Sequence, residues 1–132
     1  NWQMYDPNVP PFLNKLTHLD ETIGFWVHMT AADVLEVVGT EPVTTDIDLY
    51  EGWNLVAYPS MTSRPLPEVL NENGCTDFSV VYAYLANDAA PWKLFDLSLP
   101  PFLNDLSEMA PGSGYWIWVN ADCTWSVTYL AE

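Results

Sequence analysis

A chain of 132 residues has the size of one ordinary domain, and 49% apolar residues with seven Trp, seven Tyr and five Phe exclude a disordered or merely solvating segment. Its net charge of −15 sets eighteen acids against Lys15, Arg64 and Lys93, too few bases to neutralise phosphates, so nucleic acid is not expected as a partner and anionic membrane surfaces are disfavoured. No apolar run approaches the roughly 18 residues that span a bilayer, and Asn1-Trp2-Gln3-Met4 shows no basic region followed by an apolar stretch, so neither membrane insertion nor a retained signal peptide is expected.

Along the chain, short segments of period-two alternation separated by Pro, Gly, Asn and Asp predict strands. The first is 2–6. Pro10-Pro11 followed by Phe12, Leu13, Leu16 and Leu19 predicts a short helix, with Pro at its first position and apolar residues on one face. Strands follow at 24–30, 33–38, 45–50 and 53–58, and a helix at 65–71 after Ser63. Asn73-Gly74 marks a turn. Strands at 78–85 and 92–96 precede a second Pro-Pro helix through Phe102, Leu103, Leu106 and Met109, a Pro111-Gly112 turn, and strands at 114–119 and 124–130. The expected class is mainly β, a β-sandwich-like fold with short crossover helices.

The elements recur. Laid on itself with an offset of ninety residues, the chain aligns Trp2 with Trp92, Pro10-Pro11-Phe12-Leu13-Asn14 with Pro100-Pro101-Phe102-Leu103-Asn104, Gly24 with Gly114, Trp26 with Trp116 and Val37 with Val127. Twelve of the positions from 2 to 38 are identical, without a gap. A period this long implies a unit of domain size rather than a solenoid repeat. Residues 41–132 read as a complete unit with an opening and a closing half, and residues 1–40 as the closing half of another. The lone closing half must be covered by an opening half upstream, by the single opening half of this chain, or by another chain. One compact domain formed from both segments is the leading expectation.

Glu51-Gly52-Trp53-Asn54-Leu55-Val56-Ala57-Tyr58-Pro59, with Pro111-Gly112-Ser113-Gly114-Tyr115-Trp116 downstream, resembles accessory β modules of secreted and surface proteins of bacteria and archaea. Such modules open G-W-N-L-[VI]-x-x-P and close G-x-G-Y-W. The resemblance spans the complete unit and, in its closing half only, residues 2–38, where Thr22-Ile23-Gly24 replaces the first glycine of the closing phrase. It implies an extracellular or cell-surface location and names no ligand.

Cys75 and Cys123 are too few and too far apart for a zinc site, and neither has the second Cys or basic neighbour of a reactive thiol. A disulfide joining the two halves of the complete unit is expected, with two buried free thiols as the alternative. No catalytic residues are expected. His18 and His28 are the only histidines, they align with Glu108 and Trp118, and no G-x-S-x-G, H-E-x-x-H or P-loop pattern is present.

The tryptophans divide. Trp2, Trp92, Trp26 and Trp116 recur and are expected in the core, together with Trp53 and Trp125. Trp118, aligned with the polar His28 and on the strand face opposite Tyr115, Ile117 and Val119, is the candidate ligand contact, with His28 as its counterpart. No cofactor is expected, beyond a structural calcium ion that Asp46-Ile47-Asp48, Asn87-Asp88 or Asn120-Ala121-Asp122 could take. The functional expectation is a non-catalytic adhesion or assembly module whose partners are neighbouring domains or subunits. A carbohydrate-binding module using exposed tryptophan to hold polysaccharide is the alternative, and a fragment of a secreted hydrolase a third.

Overall fold

In residues 41–130 the alternation becomes strand pairing. A computed structural model describes residues 2–130. Its strands are β1 (Thr44–Leu49), β2 (Gly52–Ala57), β3 (Arg64–Pro65), β4 (Phe78–Tyr84), β5 (Trp92–Asp96), β6 (Glu108–Met109), β7 (Gly114–Val119) and β8 (Cys123–Thr128), with one short helix, α1 (Glu68–Asn71), after β3. The four-stranded sheet has the order β2-β7-β4-β5, every pair antiparallel, with an irregularity in β4 between Phe78 and Val80. Strands β1 and β8 form a two-stranded sheet, and β3 pairs with β6.

The class is therefore the β-sandwich-like one, with a single core. Period-two alternation sends Tyr115, Ile117 and Val119 of β7 inward, and their partners Val56, Val81, Ala83 and Phe95 share that face. From the other layer come Ile47 and Leu49 of β1, Trp125 and Val127 of β8, and Val69 and Leu70 of α1. Trp125 donates its indole N–H to the Val69 carbonyl at 2.9 Å, so even the one polar atom of this buried ring is satisfied. Gly74 ends the connection after α1 at φ +105°, and a Cβ there would run into the Thr124 carbonyl oxygen.

Cys75 and Cys123 are bonded, with their Cα atoms 5.5 Å apart. The bond ties the segment between α1 and β4 to the start of β8, as the topology predicts. Closing a loop of 48 residues contributes about 2–4 kcal/mol by restricting the unfolded chain.

The two Pro-Pro segments shrink from the predicted helices to three-residue 3₁₀ turns, Pro11–Leu13 and Pro101–Leu103. The cause is the following asparagine. Asn104 accepts from the Asp96 amide at 2.9 Å and donates to the Asp96 carbonyl at 3.2 Å, competing with helical continuation, while the next two amides donate to the Leu94 carbonyl. Ninety residues earlier Asn14 makes the same two bonds to Asp6, at 2.9 and 3.2 Å, and the amides of Lys15 and Leu16 donate to Met4.

The likeness stops there. The strands expected at 2–6, 24–30 and 33–38 do not form. Only Ile23 makes a β-bridge, to Val56 on the outer edge of β2, and Gly24 is the only buried residue among 2–40. A strand needs a neighbour along its length: the β7-facing edges of β2 and β4 are already taken by β7, and among the described residues the outer edge of β2 is met only at Thr22–Gly24.

Candidate functional site: an outer aromatic face

Inward packing of one face of the four-stranded sheet fixes what the other face shows. Pairing Trp53 with Trp118, Leu55 with Trp116 and Tyr82 with Trp116 and Leu94 puts these side chains together on the outer face, and Tyr84 opposite Trp92 extends it. The rings form a connected set. Trp53 meets Trp118 edge-on at 5.3 Å and Tyr82 at 5.8 Å; Tyr82 meets Trp92 at 6.3 Å, and Trp92 meets Tyr84 at 5.1 Å. Tilted and edge-to-face contacts at these separations add roughly 0.5–1.5 kcal/mol each beyond area burial.

Two further rings come from the N-terminal segment. Trp2 lies on Trp116 at 5.3 Å, and Trp26 lies on Tyr84 at 4.7 Å and Trp92 at 5.8 Å. The segment is held by hydrogen bonds from the Gly24 amide to the Leu55 carbonyl at 3.4 Å and from the Ala57 amide to the Thr22 carbonyl at 3.1 Å. Gly24 must be glycine here, since a Cβ would sit 2.7 Å from the Val56 carbonyl oxygen. Asp20 braces the approach: its carboxyl is held below the ordinary value by the Thr22 hydroxyl, with the Thr22 amide adding to the effect.

Expectations about the tryptophans divide accordingly. Trp125 is in the core. Trp2, Trp26, Trp53 and Trp92, expected there too, are 47–75% exposed on the outer face, and Trp116 is half-buried among them. Recurrence signals a shared role without saying which face carries it. Trp118 stands at the outer face's margin, 36% exposed, its indole N–H donated to Asn120 Oδ1 at 3.2 Å; Asn120 in turn donates to Asp77 at 2.8 Å and accepts from the Ser79 hydroxyl at 3.0 Å. His28 is exposed on segment 24–30, which forms no strand, and among the described residues no hydrogen bond or ring contact joins it to Trp118. Tyr82 and Tyr84 join the face as well, and their alternation with Val81 and Ala83 is the signal in the sequence that marks them.

In the acidic loops that could take calcium, one oxygen of each of Asp46, Asp48, Asp88 and Asp122 is engaged within the fold, Asp88 Oδ1 by the Ala90 amide at 2.9 Å. Asp46 and Asp48 accept from the hydroxyls of Ser126 and Thr124 across β1 and β8, and Asp122 accepts from the Glu51 amide at 2.8 Å. Among the described residues no three His, Cys, Asp or Glu side chains gather where they could hold a metal ion. No helix among them is long and apolar enough to cross a membrane. The chain matches no family model, and neither a curated protein nor a solved structure matches it significantly.

Proposed function

We propose that the chain is a non-catalytic adhesion or assembly module of a secreted or cell-surface protein, and that it works by packing units against one another through the outer aromatic face. The observation that carries this reading is the docking of Trp2 and Trp26 on Trp116 and Trp92. Aromatic anchors concentrated on one patch are the usual energetic centre of a protein interface. An acidic surface with a net charge of −15 keeps such a module soluble between contacts, and the disulfide suits an oxidising compartment. The likeness of Gly52-Trp53-Asn54-Leu55 and Gly112-Ser113-Gly114-Tyr115-Trp116 to accessory modules of surface proteins supports the same location.

Sedimentation tests it. Trp2→Ala with Trp26→Ala bares Trp92 and Trp116, and the double variant self-associates at lower concentration than the parent chain. Adding Trp92→Ala and Trp116→Ala returns it to the parent's behaviour. Unchanged association in the double variant contradicts the reading.

The polar cluster of Asn120, Asp77 and Ser79 beside Trp118 favours a second reading, in which that margin of the face holds a polysaccharide. Saturable binding on a glycan array, abolished by Trp118→Ala and indifferent to Trp2 and Trp26, would establish it in place of the first.

A further inference from the structure

We infer that residues 2–38 are a docking surface for an opening half-unit, a segment with the β1–β2–β4 pattern of residues 41–90. This rests on the packing reading above and names its partner. Two independent observations carry it.

One is the exposure of positions that are core in the complete unit. Phe25, Val27, Met29, Leu35 and Val37 are 43–81% exposed, whereas the residues aligned with them, Tyr115, Ile117, Val119, Trp125 and Val127, are 0–3% exposed. Those five are covered by β1, β2, β4 and α1, all of which belong to residues 41–90. The same side of the same sequence pattern is thus bare where the opening half is missing and buried where it is present. This chain's own opening half is not free to serve both, because β2 and β4 flank β7 and β1 pairs with β8.

The other is a symmetry in the contacts already made. Trp2 aligns with Trp92 and touches Trp116; Trp26 aligns with Trp116 and touches Trp92. Gly24 aligns with Gly114, and a Cβ built on Gly114 would lie 3.6 Å from Gly24 Cα. Exchange the two closing halves and the two ring contacts swap, while the glycine contact maps onto itself. That is the signature of a two-fold, isologous contact.

The symmetry has a consequence for Thr22–Gly24, which pair with Leu55–Ala57 on the edge of β2. Their counterparts are Gly112–Gly114, and a second β2 is required against them. That place is open. A cleft of about 640 Å³ lies there, lined by Phe25, Trp26, Val27, Gly112, Ser113 and Gly114 among others, and nothing comes within 4 Å of a Cβ on Gly112. An added strand in the cleft would pair with 24–29 as β2 pairs with β7, and would cover Phe25 and Val27.

The test adds residues 41–90 a second time, fused directly to Asn1 of the full chain. Because residue 1 aligns with residue 91, this reproduces the spacing of the complete unit without a linker. Hydrogen exchange is compared between the parent and the extended chain. The amides of 25–29 and 34–38 slow by about a hundredfold or more in the extended chain, as local opening gives way to strand opening, while 114–128 keep their protection. A hydrophobic dye bound by the parent's bare segment is released in parallel. In a control extended chain, Asp at the added copies of Val56 and Val81 abolishes both changes.

Exchange at 25–38 that stays fast while 114–128 remain protected overturns the inference. So does protection of 25–38 in the parent chain on dimerisation, which would make a second copy the occupant. Either result leaves the packing reading standing if Trp2→Ala with Trp26→Ala still alters association, and that reading fails separately if it does not.

Discussion

Trp125 holds the two layers together at a single indole. Fully buried, it stacks on Tyr58 at 6.0 Å and 11° and donates to the Val69 carbonyl. Trp125→Phe removes the donor, leaves that carbonyl unpaired and opens a small cavity, so it lowers stability by about 2–4 kcal/mol. Urea unfolding reads this as a lower midpoint at unchanged slope, and an unchanged midpoint would show that the indole N–H contributes nothing. Tyr115 makes a different prediction. Its hydroxyl accepts from the Ala110 amide at 2.7 Å, and burial holds its phenol above the ordinary value; burial does the same to Tyr58. As pH rises past about 10 the unfolded chain loses these protons first and then binds fewer than the folded chain, so the contribution of these two phenols to stability falls with pH from there and is constant below. Tyr115→Phe should shallow that alkaline decline in pH-dependent urea titrations. A decline as steep as the parent's would contradict the assignment. These inward residues were legible as residues, because alternation and an apolar exchange between copies both mark a core position. Trp53, Trp92 and Trp116 were not: they recur or sit in a signature phrase as core residues do, and only the parity of the paired strands shows that they face outward.

At the scale of elements, the Pro-Pro-Phe-Leu-Asn turn shows how much of a fold is local. Asn104 and Asn14 make matching bonds to Asp96 and Asp6 although one turn lies beside a complete core and the other does not. The energetic consequences should differ. The Asn104 turn places Phe95 and Leu106 in the core, so Asn104→Ala costs about 1–2 kcal/mol of global stability. Asn14→Ala touches no core and leaves the global midpoint where it was, while speeding exchange at Asp6 and Leu16. Equal effects of the two substitutions on the urea midpoint would show that residues 2–16 unfold with the sandwich. The strands of the second unit were legible to within a residue or two from their period, and so was the disulfide. The two-residue strands β3 and β6 were not, being too short to show any period. The first unit's expected strands failed for a physical reason: alternation reports which face a side chain takes, and pairing requires a free neighbour that the sequence pattern does not supply.

For the whole molecule, the arrangement is one disulfide-linked sandwich whose outer sheet face is aromatic and carries an N-terminal segment that shares one turn with it and forms no strand of its own. The outer face is unusual in this acidic molecule, because apolar rings rather than carboxylates cover the sheet's solvent side. Carboxylates instead sit on β1, where Asp46 and Asp48 bond across to β8. Charge thus guards the small sheet's surface, and the large sheet's surface presents rings, two of which already hold Trp2 and Trp26. Packing of this aromatic face against Trp2 and Trp26 with two-fold character is visible in nuclear Overhauser contacts between indole rings of the intact chain. Cross-peaks are expected between Trp2 and Trp116 and between Trp26 and Trp92, both lost in Trp2→Ala with Trp26→Ala. A chain whose β2–β7 and β4–β5 cross-strand contacts are intact but which shows neither indole pair would contradict it.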